Sequence, residues 1–178
     1  FGENRVQESQ KKYTMLPEDI SWHLVGHLQT NKAKQAVDMF DLIHSVDSIR
    51  LAEEISKRAA QICKIQDVLV QVNTSGEISK SGIDLKDAVA FVKEVSAFSN
   101  IRVKGLMTIG PLDVGVQETR KCFRLLKVLY DELSGQETEH LQMQYLSMGM
   151  TQDFEIAIEE GSNMVRIGSG IFGARTNS

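Results

Sequence analysis

The sequence predicts an α/β fold with a parallel sheet, because short apolar runs alternate with amphipathic helices along the chain. Six runs resemble buried strands, at residues 22–25, 42–46, 68–72, 103–107, 145–148 and 165–167, and residues 1–4 resemble the end of a seventh. Seven strands at this spacing suit either a doubly wound sheet or a (β/α)8 TIM barrel. Such a barrel usually takes at least about 200 residues. The 178 residues therefore fit a barrel that lacks its first β/α unit.

Four helices are predicted between these strands by apolar residues that recur at helical spacing. Asp47 or Ser48 can cap the first helix, and Thr151 is expected to open the fourth, which ends at Gly161. The apolar stripes consist of Leu51, Ile55, Ala59 and Ile62, of Leu85, Ala88, Val92 and Val95, of Phe123, Leu126, Tyr130 and Leu133, and of Phe154, Ala157 and Ile158.

Composition narrows the class of protein. Residues 1–178 are long enough for one good-sized core, so a single domain is expected. The net charge of −4 gives no broad basic field for nucleic acid, and no apolar stretch has the length of a membrane span. Cys63 and Cys122 fall in helical patterns and are expected to be small apolar fillers in a reducing cytoplasm. The Cys and His residues show no metal-ligand spacing.

The last apolar run contains a charged residue, Arg166, and breaks into glycines at 168, 170 and 173. A charge in a buried strand needs a partner, and glycines after a strand allow backbone N–H groups to surround an anion. Residues 168–173 also match G-x-G-x-x-G, but a dinucleotide site needs a following helix and strand, and only five residues remain. A phosphate-bearing cofactor is the better prediction.

Two turns are candidates for the phosphate. Ser147, Gly149 and the expected helix start at Thr151 form one half of a cradle, and Gly168 with Ser169 forms the other. Barrels often bind phosphate beside strands seven and eight, so these turns are expected to be neighbours.

Other strand-end residues leave alternatives open. Arg166 can pair with the phosphate, face a ring nitrogen of the ligand, or form a salt bridge with Glu3. Asn4 can contact the ligand or cap a turn. Met107 and Met148 are expected to pack and to form the floor of a pocket. His23, His27 and His44 lie at strand edges, where hydrogen-bonded scaffold histidines are common.

Several segments together resemble one family, the pyridoxal phosphate homeostasis proteins, also called proline synthase co-transcribed homologues. The matching segments follow one another along the whole chain. They are 1–8 (FGEN-x-VQE), 22–32 (WH-φ-φ-G-x-LQ-x-NK, where φ is apolar), 77–82 (E-x-x-K-x-G), 105–109 (GLM-x-I), 147–153 (SMGMS-x-D) and 166–173 (RIG-T-A-IFG).

The resemblance implies a barrel of the alanine-racemase N-terminal type that binds pyridoxal 5′-phosphate (PLP) and serves vitamin B6 and amino-acid homeostasis without established catalysis. It further implies that Arg166 lies by the pyridine nitrogen and that Asn4 lines the ring pocket. The residues implied to hold the phosphate are Ser147, Met148, Gly149, Gly168 and Ser169.

Three positions depart from the family pattern. Ser169–Gly170 replaces Thr-Ala and Thr151 replaces Ser, and these changes keep small or hydroxyl side chains. More seriously, the Schiff-base lysine of the family lies in a VSKTKP-like motif upstream of FGEN, and this sequence contains no such motif. Either the sequence lacks its amino-terminal portion, or the protein cannot hold PLP covalently. Without that lysine we expect weaker PLP binding, with Lys80 as the first candidate for a substitute.

Three functions follow in order of preference. The first is a PLP-binding homeostasis protein that is not an enzyme, a cytoplasmic monomer or weak dimer whose partners are PLP and PLP-dependent apoenzymes. The second is a PLP-dependent amino-acid racemase-like enzyme, which an arginine at the pyridine nitrogen disfavours. The third is a phosphometabolite enzyme on the same barrel. Such an enzyme is expected to have a carboxylate or a lysine at several strand ends, whereas the strand ends of this sequence are mostly Asn, Ser, Thr, Met and Gly.

Overall fold

A computed structural model of the chain describes residues 1–17, 19–77, 80–111 and 114–173. Its strands form one parallel sheet in the order β1-β2-β3-β4-β6-β7-β8, with the short β5 paired to β4. The strands are β1 (Gly2–Glu3), β2 (His23–Leu24), β3 (Leu42–Val46), β4 (Gln66–Asn73), β5 (Ile83–Asp84), β6 (Ile101–Met107), β7 (Leu141–Met150) and β8 (Met164–Arg166).

Helices connect consecutive strands of the sheet, as parallel pairing requires. The connecting helices are α1 (Val6–Tyr13), α2 (Ala33–Met39), α3 (Ile49–Gln61), α4 (Ala88–Ser96), α5 (Val116–Ser134) and α6 (Phe154–Glu159), and a further helix, α7 (Ser169–Phe172), follows β8. The strand order follows the chain order, which is the topology of a TIM barrel and not of a doubly wound sheet. The predicted fold class is therefore confirmed.

The strands separate two apolar layers. The main core lies between the sheet and the helices and includes Ile43, Leu146 and Met148. A smaller cluster on the other face of the strands fills the lumen. It consists of Leu42, Leu69 and Met107, with Tyr145 and Met164 packed against them. Alternate residues of β3, β7 and β8 therefore face the lumen, as the period of a strand dictates.

The sheet path ends at β1 and β8. Within the described ranges no ladder of hydrogen bonds joins these two strands. The ring of Phe1 lies 5.7 Å from the ring of Phe172 in an edge-to-face contact. Residues from the two ends of the sheet path therefore meet through these aromatic side chains.

The fourth predicted helix differs from expectation at both the start and the buried face. Residue 151 does not open it, since α6 begins at Phe154 after a turn over residues 151–153. The Asp153 carboxylate accepts the Met150 N–H at 2.6 Å and so stabilises that turn. Ile158 is 53% exposed, and Ile156 packs against the core in its place.

The two cysteines occupy different environments. Cys122 is buried in α5, as expected, and burial raises the pKa of its thiol. The prediction for Cys63 is wrong, because Cys63 follows the end of α3 with a φ of 53° and is exposed. A residue in this left-handed conformation ends the helix before the side chain reaches the core.

The described part of the chain has neither a membrane-spanning helix nor a cluster of metal-ligating side chains. None of its helices has the length and apolar character needed to cross a membrane. No group of three or more His, Cys, Asp or Glu side chains there is placed to hold a metal ion.

Candidate functional site

The candidate site lies where β7 and β8 end. The two strands are parallel and adjacent, so the loops that follow them lie at the same edge of the sheet. Ser147 pairs with Met164 and Met150 pairs with Arg166 in the ladder, with an irregular register between them. The two glycine-containing turns predicted from the sequence are therefore neighbours. This confirms that they lie side by side, while their ligand stays a prediction.

Arg166 is held by Ser147 on β7 and by Thr108, the residue that follows β6. Its Nη1 donates to the Ser147 hydroxyl and its Nη2 donates to the Thr108 carbonyl, both at 2.8 Å. Burial lowers the pKa of Arg166 to about 10, and the charge of Asp153 opposes this effect. The side chain is thus cationic at neutral pH. Its expected alternative partner, Glu3, instead pairs with Lys12 at 2.6 Å.

The turn after β7 requires a glycine. Gly149 has a φ of +94°, and a Cβ at this position would lie 2.5 Å from the Cβ of Ala157 and 3.0 Å from the Cα of Phe154. A side chain would therefore push α6 away from the strand. The close approach of α6 fixes the path of the backbone from Gly149 to Asp153.

Thr151 connects the two turns. Its hydroxyl lies 3.3 Å from the Ser169 hydroxyl and accepts the Gly170 N–H at 3.4 Å. Within the described ranges, four backbone N–H groups of these turns donate no hydrogen bond, those of Thr151, Gln152, Gly168 and Ser169. Backbone N–H groups in neighbouring turns are the donors that protein sites offer to phosphate oxygens.

The residues of β7 that are expected to hold the phosphate differ in which of their atoms can reach the site. Ser147 is fully buried, and its hydroxyl contacts Arg166 and His44. Met148 is also fully buried, but its side chain packs in the main core, so only its backbone is available to the site. Met107 lies in the lumen cluster and can form the floor of a pocket there.

Asn4 lies at another part of the barrel mouth. It is exposed and lines a cavity of about 190 Å³ together with Gln71, Lys80 and residues from the loops after β2 and β6. Lys80 binds the Glu77 carboxylate at 2.8 Å and donates to the Gly110 carbonyl at 3.3 Å. Arg166 is not part of this cavity lining.

Two lumen histidines form a hydrogen-bonded group that the sequence analysis did not assign to the site. His44 Nδ1 lies 3.1 Å from the Ser147 Oγ, and His44 Nε2 lies 3.2 Å from His23 Nδ1. Burial lowers the pKa of His44 to about 2, helped by the charges of His23 and Arg166. The sequence signal that could have identified the two histidines is the alternation of polar and apolar residues in the strands, which places their side chains on the lumen side.

Comparison with known proteins supports one family. The family model for the alanine racemase N-terminal domain matches residues 1–176. The pyridoxal phosphate homeostasis protein of Aquifex aeolicus is 46% identical over 176 residues, which cover 98% of this chain and 76% of that protein. The protein of the same name from Vibrio alginolyticus is 39% identical and covers 100% of this chain and 77% of its own length.

Solved structures agree with these matches. PipY from Synechococcus elongatus without PLP superposes with a TM-score of 0.90 at 39% identity, covering 97% of this chain and 81% of PipY. PipY with PLP bound gives a TM-score of 0.86 over the same shares and at the same identity. Alanine racemase of Clostridium difficile, at 17% identity and a TM-score of 0.79, covers 99% of this chain and 45% of the racemase and shares the fold. The chain belongs to the pyridoxal phosphate homeostasis protein family.

Proposed function

We propose that this chain binds PLP where β7 and β8 end and serves vitamin B6 and amino-acid homeostasis. The observation that carries the proposal is the set of four N–H groups without hydrogen bonds, among the described residues, in the neighbouring turns after β7 and after β8, the strand that contains Arg166. A phosphate ester needs several hydrogen-bond donors, and N–H groups in these two turns are free to supply them. PipY, which binds PLP in a solved structure, has the same fold at 39% identity.

Different residues bind different parts of the ligand. The backbone of Gly149, of residues 151–152 and of Gly168 and Ser169 holds the phosphate, while Met148 contributes only main-chain atoms. Arg166 takes the pyridine nitrogen, and Ser147 supports Arg166 in that role. Met107 forms the floor from the lumen cluster. Asn4 lines the ring pocket from the cavity at the mouth.

This arrangement favours a carrier over a catalyst. Bound PLP supplies an electron-withdrawing ring to chemistry on amino acids, and protonation of the ring nitrogen strengthens that effect. A cationic arginine next to this nitrogen disfavours its protonation. Arg166 stays charged at neutral pH although burial lowers its pKa to about 10. We therefore propose that the protein is not an enzyme, and that racemase-like activity is the alternative.

We place the protein in the cytoplasm as a single domain spanning residues 1–178, a monomer or weak dimer. Its partners would be PLP and the PLP-dependent apoenzymes that receive it. Mixing the PLP-loaded protein with an apoenzyme and following recovery of that enzyme's activity tests the transfer.

Titrations with three ligands test the binding proposal. PLP, pyridoxal and inorganic phosphate are each added to the protein, and binding is followed by absorbance, fluorescence and calorimetry. Because several charge-assisted hydrogen bonds go to the phosphate, PLP should bind at least about 100-fold more tightly than pyridoxal. Inorganic phosphate should compete with PLP. Equal affinities for PLP and pyridoxal would contradict the proposed cradle.

A separate assay decides between carrier and enzyme. The PLP-loaded protein is incubated with each common L-amino acid, and the D-enantiomer is measured by chiral chromatography. A carrier gives no D-enantiomer above the rate of free PLP at the same concentration. Turnover above that rate would establish the racemase-like alternative.

A further inference from the structure

A continuous chain of polar side chains crosses the lumen beneath the candidate site. It runs from His23 on β2 to His44 on β3, then to Ser147 on β7 and to Arg166 on β8. The successive contacts are 3.2, 3.1 and 2.8 Å. Three of these residues stand two positions after a member of the apolar lumen cluster, which places the chain one layer nearer the carboxyl ends.

The chemistry of arginine sets the direction of the hydrogen bonds. A guanidinium can only donate, so the Ser147 oxygen must accept from Arg166. The single hydroxyl proton of Ser147 then has His44 Nδ1 as its acceptor, at 3.1 Å. His44 must accordingly carry its own proton on Nε2, which donates to His23 Nδ1.

The environment of His44 agrees with this assignment. His44 is only 1% exposed, and burial lowers its pKa to about 2, so the ring is neutral and one nitrogen is free to accept. The positive charge of Arg166 contributes to the same effect. A neutral His44 thus accepts a hydrogen bond from a serine whose oxygen faces a cation.

We propose that His44 is a positioning residue for the ligand, acting through Ser147 on Arg166. By accepting a hydrogen bond from the Ser147 hydroxyl, His44 keeps the lone pairs of the serine oxygen turned toward the guanidinium. Ser147 and the Thr108 carbonyl then hold Nη1 and Nη2, and the other N–H groups of Arg166 are left for the ring nitrogen. The inference rests on the proposed PLP binding, and it adds a residue from β3 to the recognition of the ring.

Two substitutions separate positioning from simple filling of space. In His44→Asn the amide oxygen takes the place of Nδ1 as an acceptor, whereas His44→Leu keeps the volume without an acceptor. The leucine variant should bind PLP about tenfold more weakly and shift the absorption maximum of the bound ligand. The asparagine variant should have the PLP affinity and the absorption maximum of the wild type. Inorganic phosphate should bind the wild type and both variants equally.

A control histidine is available at the other end of the barrel. His140 Nδ1 lies 2.9 Å from the Ile101 carbonyl, away from the proposed site. His140→Leu should therefore leave PLP affinity and the absorption maximum unchanged. If His44→Leu also leaves both unchanged, or if His44→Asn is as impaired as His44→Leu, the positioning role is refuted.

A measurement on the ligand-free protein keeps this inference separate from PLP binding itself. Long-range ¹H–¹⁵N correlation spectra of ¹⁵N-histidine protein identify which ring nitrogen of His44 is protonated. Protonation at Nε2 supports the chain, and protonation at Nδ1 overturns it even if PLP binds. Absence of PLP binding by the wild-type protein, with Nε2 protonated, would instead refute the proposed function and with it the ligand role of His44.

Discussion

The guanidinium of Arg166 lies 2.8 Å from the Ser147 hydroxyl on β7 and also reaches the carbonyl of Thr108, the residue after β6, so two contacts fix its position. Lysine keeps the positive charge but lacks the planar fork that contacts both oxygens. The role of Arg166 therefore depends on the geometry of its guanidinium as well as on its charge.

We expect Arg166→Lys and Arg166→Gln to weaken PLP binding by about tenfold or more, because a charged hydrogen bond is lost in each case. Arg166→Gln should also change the absorption spectrum of the bound ligand, since the ring nitrogen then has no cation beside it. Titration by absorbance measures both effects. Wild-type affinity and spectrum in both variants would refute a contact between Arg166 and the ligand.

The Thr151 hydroxyl joins the two proposed phosphate turns through Ser169 and Gly170. Thr151→Val retains the shape and removes the hydroxyl, so affinity for PLP and for inorganic phosphate should fall by about fivefold. Thr151→Ser retains the hydroxyl and serves as the matched control. Calorimetry with both ligands measures the change. A valine variant that binds like the serine variant would show that the connection between the turns does not matter for the phosphate.

Much of the fold could be predicted because the central strands are continuously apolar. The strand predicted at 42–46 has those bounds in the structure. β4 and β7 begin earlier than expected, at Gln66 and Leu141, because polar residues interrupt the apolar pattern at the start of each strand. Gln66, for example, is fully buried and donates to backbone carbonyls of residues 40, 41 and 67.

The candidate site was predictable in part. Arg166 and the two turns stood out because a charge and glycines interrupt an apolar run. His23 and His44 did not, since a single histidine in a strand is ambiguous until the register places it opposite Ser147. The separation of Asn4 from Arg166 depends on which strands neighbour each other around the lumen. Such relationships depend on long-range pairing and have no local sequence signal.

Lys80 can be tested as a site of covalent attachment. It lines the same cavity as Asn4, and its side chain is only 20% exposed. Borohydride reduction of the PLP complex followed by peptide mass mapping should locate pyridoxyl label on Lys80, and Lys80→Arg should lose it. Lys127→Arg is the control, because Lys127 lies on α5 and pairs with Asp131. Label on other lysines with none on Lys80 would exclude it as the substitute lysine.

Gly149→Ala tests the close contact between the β7 turn and α6. The φ of +94° is unfavourable for alanine, and the new Cβ would lie 2.5 Å from Ala157. We expect the free energy of unfolding to fall by about 2 kcal/mol, together with PLP affinity, because the turn must move. Urea denaturation and PLP titration measure the two effects.

Gly135→Ala provides the control for that variant. Gly135 has a φ of −79°, and the nearest atom to a Cβ built there lies 3.8 Å away. This change should alter the free energy of unfolding by less than about 0.5 kcal/mol. If Gly149→Ala proves as mild as Gly135→Ala, then α6 does not constrain the turn.

Stability should depend on pH through His44. Its pKa falls from an ordinary 6.5 to about 2 on folding, with burial as the main cause. Below pH 6.5 the unfolded chain therefore binds a proton at His44 that the folded chain does not, and the free energy of unfolding falls as the pH falls. The loss approaches about 1.4 kcal/mol per pH unit for one proton, and this contribution disappears above pH 6.5.

Urea denaturation of the wild type and of His44→Asn at pH 7.5, 6.0 and 5.0 measures this effect. Asparagine does not titrate, so the free energy of unfolding of the variant should fall less between pH 6.0 and 5.0 than that of the wild type. The difference should be at most about 1.4 kcal/mol, the effect of one proton over one pH unit. His23, whose pKa burial also lowers, remains in both proteins and adds the same trend to each. Equal pH dependence in the two proteins would mean that His44 is protonated in the folded state, which is incompatible with an acceptor for Ser147.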